Sequence, residues 1–253
     1  MREVYNWLVK RMYSSPPIFM TPGVFAHTKP ELVLGIDEAG RGPGIGPMVL
    51  AAVALDGATA ELMAQSGVRD SKAFGSGATA RRLRARLADL IRRHSAWADV
   101  EICEVAEIDA YVARGELNQL ERERARGLIL RAPTCASIVA DGRTLFSPLA
   151  KEFAHLEARD HADAAHPAVA AASICAKALR DELFATVAAR YQLEFGVLGG
   201  AGYVNPATCA FVAEYARRYG RLPPEARQSW PWRGIPRPTA GEQSGALPSP
   251  RVR

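Results

Sequence analysis

The sequence predicts an α/β domain: a mixed β-sheet flanked by helices, with a helical C-terminal portion. Short apolar runs bounded by Gly and Pro cluster in the first half of the chain, the pattern of buried strands. Amphipathic or Ala-rich stretches of helical length dominate the second half. With 253 residues, 48% of them apolar, the chain is long enough to bury one large core, with or without a small appendage.

Residues 1–30 hold Pro16, Pro17, Pro22 and Pro30 without a sustained period and are expected to form a loose extension. The apolar runs 32–36 and 48–55, joined by a Gly/Pro-rich connection, predict an antiparallel strand pair. Alternation over 100–105 predicts a third strand, and 137–140 a buried fourth that stops at Asp141-Gly142. Residues 79–93 place Leu83, Leu87, Leu90 and Ile91 on one helical face with six arginines around it. A charged helix is expected over 108–130, with Gly115 as its break point. An Ala-rich helix follows over 167–191, opened by Pro167, and a final amphipathic helix over 206–219. From residue 234 the chain is rich in Pro, Gly and Ser and is expected to be a disordered tail, which leaves 31–233 as the domain.

The formal net charge of +5 is unevenly spread. Residues 1–30 carry +3 and residues 221–253 carry +4, so the stretch 31–220 is left with −2. A nucleic-acid surface on this domain must therefore be a local patch. Cys103, Cys135, Cys175 and Cys209 are widely spaced, with no CxxC pair, and are expected to be reduced, mostly buried thiols. No apolar run reaches the ~18 residues of a membrane span, and the N-terminus lacks a signal-peptide core. A cytoplasmic protein without a membrane partner is expected, and the absence of a coiled-coil seam suggests a monomer.

The densest feature is Gly35-Ile36-Asp37-Glu38-Ala39-Gly40-Arg41-Gly42-Pro43-Gly44-Ile45-Gly46-Pro47. A dinucleotide fingerprint fails here, because the third glycine position falls on Ile45 or Pro47. A phosphate loop fails because GK followed by Ser or Thr is absent. What remains is two carboxylates at the end of a buried strand, followed by a glycine-lined turn. Acids there are costly unless paired or metal-bound, although a solvated strand end would also accommodate them. Successive strand side chains point to opposite faces, so both acids can reach one site only if the strand bends or ends between them.

Asp141, at a strand end before Gly142, is either a ligand residue or a plain turn aspartate. Asp163 precedes the small-residue stretch 168–176, which permits close packing of a helix on the sheet. It is either brought over the strand ends or simply caps the helix. Lys177 and Arg180 either face solvent or face an acidic site or a phosphate.

Together these segments are similar to the ribonuclease HII family. GIDEAGRGP, then Asp70-Ser71-Lys72, Asp141-Gly142, AAASICAK with Arg180-Asp181, and finally Gly202-Tyr203 occur in that family's order, over roughly residues 32–230. The resemblance implies a ribonuclease H-like sheet and a metal-dependent endoribonuclease acting on RNA–DNA hybrids. It also implies cleavage on the 5′ side of single ribonucleotides in duplex DNA, leaving a 5′-phosphate and a 3′-hydroxyl, with roles in ribonucleotide excision and in removing RNA primers and hybrids. Asp37, Glu38, Asp141 and Asp163 would be the catalytic, metal-binding carboxylates, with Asp160 a neighbouring candidate. Gly40, Arg41 and Gly42 would approach the ribose 2′-hydroxyl through backbone groups. Ser71 and Lys72 would hold phosphate, Lys177 would face the substrate, and Tyr203 would stack near the sugar.

Three departures from the family pattern are visible: Ala165 where Lys is frequent, Ala201 within a GSGY-like segment, and Asn205 in place of an Asp. The all-oxygen ligand set suits Mg²⁺ or Mn²⁺, in a two-metal site. Two rival readings are a DNA nuclease or junction resolvase on the same fold and a non-catalytic duplex-binding module. The first leaves the glycine turn and Tyr203 without a reason, and the second leaves the four acids without one.

Overall fold

The computed structural model describes residues 31–68, 75 and 77–232. Strands β1 (Val33–Ala39), β2 (Met48–Leu55), β3 (Trp97–Cys103), β4 (Ser137–Asp141) and β5 (Leu156–Arg159) form one sheet in the order β3-β2-β1-β4-β5. β1 pairs antiparallel with β2 and β2 with β3, whereas β1–β4 and β4–β5 are parallel. The sheet is thus mixed, with β1 at the junction of its antiparallel and parallel halves.

Both faces are covered, which is why β2 reads as an unbroken apolar run, MVLAAVAL, buried at every position. On one face Val49, Ala51 and Val53 pack with helices α1 (Gly57–Gln65), α2 (Ala78–His94) and the long α7 (Pro167–Phe195). On the other, Leu50 and Ala52 pack with α3 (Val105–Val112), α4 (Leu117–Arg131) and the short α5 (Arg143–Phe146). The four-residue α6 (Ala162–Ala165) immediately precedes α7. A third cluster joins the C-terminal half of α7 to α8 (Pro206–Tyr219) and to the segment 222–232. It is rich in rings: Tyr191, Phe195, Phe211 and Tyr215 pack edge-on or tilted at 5.1–6.1 Å.

The predicted strands and the antiparallel pair are present, with three differences. The charged stretch starts earlier than expected, at Val105, and divides into α3 and α4 around the expected break at Gly115, where φ is +73°. Strand β5 was not anticipated. It is four residues long, LEAR, and its neighbour β4 rather than its own pattern recruits it. The third difference concerns β1, which keeps its register with β2 through Asp37↔Ala51, Glu38↔Leu50 and Ala39↔Val49. Pairing with β2 thus continues across the two acids, where the strand was expected to bend or end.

Cys103, Cys135, Cys175 and Cys209 are free, the first three of them buried. Among the described residues, no helix is long and apolar enough to cross a membrane. The expected extension 1–30 and tail 234–253 lie outside the described residues, as do Ser71 and Lys72.

Candidate active site at the ends of β1 and β4

Three carboxylates converge. Asp37 comes from β1, Asp141 from the end of β4 and Asp163 from α6, and one oxygen of each lies within 4.8 Å of the others. Asp37 and Asp163 are only 4% and 2% exposed.

Local structure explains the convergence. A Cβ on Gly35 would stand 2.1 Å from the Ala168 carbonyl carbon, so glycine at 35 lets the first turn of α7 lie directly on β1. The small residues over 168–176 are buried against that contact. The Asp141 carboxylate accepts the Ala162 N–H at 2.8 Å and thereby ties α6 to the end of β4. His161 turns the chain into α6 with φ +59°, a conformation costing of order 1 kcal/mol that the surrounding contacts sustain. Asp160 lies outside the cluster and accepts the Arg143 N–H at 2.8 Å.

Glu38 follows Asp37 on β1, and its backbone N–H donates to the Asp37 carboxylate at 2.7 Å. Burial, then the carboxylates of Glu121 and Asp141, push its acid up to about 7, against the opposing Arg41 charge. Asp37 is raised well above the usual carboxylate range by burial first, then by Glu38 and Asp141. The Ser173 hydroxyl and the Lys177 charge oppose that shift. Lys177 Nζ donates to Ser173 Oγ at 2.9 Å, so α7 presents an ammonium and a hydroxyl beside Asp37. Asp141 acts electrostatically on both members of the Asp37–Glu38 pair.

Such a set of crowded, desolvated acids is unfavourable in its charged form until a cation neutralises it. The donors are all oxygen, which fits a hard divalent ion such as Mg²⁺ or Mn²⁺ and disfavours softer metals.

The glycine turn leaves β1 at Gly40, whose φ of +88° and close approach to Arg180 and the Pro47 carbonyl exclude a side chain. The Arg41 side chain turns inward to the wholly buried Glu121 of α4 and to Asn118 at 2.7 Å. Tyr203 is 54% exposed, and its ring edge stands 3.3 Å from where a Gly42 Cβ would lie. Of the departures from the family pattern, Asn205 caps α8 by accepting the Thr208 N–H at 3.0 Å, a task Asp performs equally well. Ala201 sits at φ +50°, and Ala165 is exposed at the end of α6.

Several residues were not singled out from the sequence. Glu121 occupies the apolar stripe of α4 with Leu120, Ala125 and Leu128, and a charge on that stripe was its readable signal. Ser173 lies inside the AAASICAK stretch without standing out from it. Arg84, grouped with the basic surface of its helix, is buried and donates to Asp181 of α7 at 2.6 and 2.9 Å. Arg227, counted in the basic C-terminal stretch, is 0% exposed.

A mixed five-stranded sheet flanked by helices, with carboxylates clustered at the ends of two adjacent strands, matches the ribonuclease H-like fold. The family model for ribonuclease HII matches residues 34–232. A ribonuclease HII of Pyrobaculum neutrophilum is 37% identical over 205 residues, covering 79% of this chain and 94% of that protein. The crystal structure of the ribonuclease H2 from Pyrococcus horikoshii OT3 superposes with a TM-score of 0.69 at 31% identity, covering 79% of this chain and 94% of that one. The ribonuclease HII in the structure of the PCNA:RNase HII complex from Archaeoglobus fulgidus is similar at TM-score 0.64 and 29% identity, over 78% and 93% of the two chains.

The chain belongs to the ribonuclease HII family. It is therefore a ribonuclease H, an endonuclease of RNA–DNA hybrids.

Proposed function

We propose that the chain hydrolyses RNA in RNA–DNA hybrids with Mg²⁺ or Mn²⁺ held by Asp37, Glu38, Asp141 and Asp163. We infer that it also cuts on the 5′ side of a single ribonucleotide embedded in duplex DNA, leaving a 5′-phosphate and a 3′-hydroxyl. Its roles would be ribonucleotide excision and the removal of RNA primers and hybrids. The observation that carries this reading is the approach of Asp37, Asp141 and Asp163 to within 4.8 Å beside a glycine-lined turn.

When bound, a divalent cation there supplies Lewis acidity toward a phosphoryl oxygen and eases deprotonation of water. Asp37, Asp141 and Asp163 would provide oxygen ligands to it, with Glu38 beside them. Glu38, whose acid is pushed up to about 7 by burial and neighbouring carboxylates, would, like Asp37, be drawn into the charged form by a cation. Lys177, held by Ser173, supplies positive charge toward a phosphate near Asp37. The backbone of Gly40, Arg41 and Gly42 reads the ribose 2′-hydroxyl, the group that separates RNA from DNA at a given position. The exposed ring of Tyr203 beside Gly42 stacks near the sugar. Ser71 and Lys72 hold backbone phosphate.

The test is a DNA duplex carrying one ribonucleotide, offered with Mg²⁺, Mn²⁺ or chelator beside an all-DNA control. Cleavage at the ribonucleotide only, lost with chelator, is expected. Equal cutting of the control, or activity that survives chelation, would sink the proposal. Asp37→Asn should abolish turnover while duplex binding persists.

A further inference from the structure

The peptide groups of the glycine turn are held from behind by a segment far away in sequence. Arg227 is wholly buried, and its guanidinium donates to main-chain carbonyls: Nη2 to Gly40, Nη1 to Arg41 and Nε to Gly46, at 2.5–3.0 Å. Its own backbone N–H donates to the Gly44 carbonyl at 2.8 Å. Trp230 Nε1 donates to the Gly42 carbonyl at 2.9 Å, and Arg180 Nη2 to that of Ile45 at 2.7 Å. Arg227 also stacks over the Trp230 ring at 4.7 Å.

Burying a guanidinium is expensive, and burial pushes Arg227 down to about 9, with the nearby Arg180 charge adding to the effect. The fold sustains that cost and anchors the segment twice more. Asp109 of α3 accepts the N–H groups of Gln228 and Ser229 at 2.9 Å, and the buried Glu225 accepts from Arg190 and Tyr191 of α7.

Peptide planarity turns these contacts into a statement about the opposite side of the turn. In a trans peptide the C=O of one residue and the N–H of the next point in opposite directions, and cis bonds are absent among the described residues. Fixing the Gly40 and Arg41 carbonyls on Arg227 therefore aims the N–H groups of Arg41 and Gly42 away from it. The Gly42 carbonyl, held by Trp230, locks the next torsion. These two N–H groups follow Glu38 by three and four residues, and the Tyr203 ring edge stands 3.3 Å from where a Gly42 Cβ would lie.

We propose that Arg227 and Trp230 are positioning residues for ribonucleotide selectivity, acting by orienting the Arg41 and Gly42 N–H groups toward the 2′-hydroxyl. This rests on the proposed reading of the glycine turn and adds the residues that set its geometry. Lysine cannot replace Arg227, because a single ammonium lacks the planar fork that reaches three carbonyls.

The measurement is a selectivity ratio. It is kcat/KM on a duplex with one ribonucleotide, divided by kcat/KM on the same duplex with a 2′-fluoro-2′-deoxynucleotide at that position. Arg227→Lys and the milder Trp230→Phe, which keeps the ring and removes only the donor, are compared with the unaltered protein, and thermal midpoints are recorded alongside. A merely structural role lowers both rates together and leaves the ratio unchanged. The expected result is a ratio reduced by about tenfold or more, chiefly through a slower ribonucleotide reaction. Should Arg227→Lys not fold, Trp230→Phe decides alone. An unaltered protein that discriminates, with Trp230→Phe discriminating equally, overturns this inference and leaves the proposed function standing. An unaltered protein that cuts neither duplex overturns both.

Discussion

Gly35 and Ala168 are in contact through their backbones: any Cβ at residue 35 would meet the Ala168 carbonyl carbon at 2.1 Å and its oxygen at 2.3 Å. The atoms in the way belong to a helix backbone and cannot rotate aside. Gly35→Ala must therefore lift the first turn of α7 from β1, and with it α6 and Asp163. A loss of about 2 kcal/mol or more is expected, seen as a thermal midpoint lower by roughly 4–8 °C. Activity should fall further than the unfolded fraction explains. A midpoint within 1 °C of the original would show that the contact is softer than its geometry indicates.

Asp37 illustrates a cost borne for function. Burial and its neighbouring acids oppose its ionisation, so carrying an acid at this position costs the cation-free fold stability. Asp37→Asn should raise the thermal midpoint measured in chelator, by about 2–4 °C for a gain of about 1 kcal/mol. Added Mg²⁺ or Mn²⁺ should narrow the gap by stabilising the unaltered protein more than the variant. A variant less stable in chelator would contradict the electrostatic account of the cluster.

His166, at the joint between α6 and α7, has its imidazole held below the ordinary 6.5 by burial and then by the Arg159 charge. In mildly acidic solution the folded protein therefore binds fewer protons here than the unfolded chain. The contribution is fully present above pH 6.5 and is lost as pH falls through the depressed folded value. Denaturant midpoints taken between about pH 7 and about pH 5 should fall less steeply for His166→Gln than for the unaltered protein. Parallel slopes would remove His166 from the acid sensitivity.

How much of this was legible in the sequence depends on whether a feature is local. β2 could be read residue for residue, because a strand covered on both faces has no polar positions to blur its ends. The acids of the site were all visible, since Asp37, Asp141 and Asp163 each adjoin an apolar run or a small-residue helix. Their arrangement was partly misjudged. The strand was expected to bend or end between Asp37 and Glu38, whereas its pairing with β2 runs on through Ala39, with Asp141 within electrostatic reach of both acids. β5 was missed because LEAR has neither the length nor the apolar pattern of a strand and exists only as an edge added to β4. Arg227 entered the sequence reading only as one charge of the basic stretch 221–253. Nothing in its neighbours says that its partners are carbonyls of a turn 181–187 positions earlier.

That separation also sets an order of events during synthesis. At about 5–20 residues per second, the ribosome completes Gly40 on the order of ten to forty seconds before it reaches Arg227. For that interval a nascent chain can already pair β1 with β2, and later with β4, while the turn between them lacks the donors that hold its carbonyls. The brace of the turn thus depends on one of the last segments of the domain to be made, although the turn itself is among the first. A chain released before Trp230 would carry every carboxylate of the cluster and still lack the brace behind Gly40, Arg41 and Gly42.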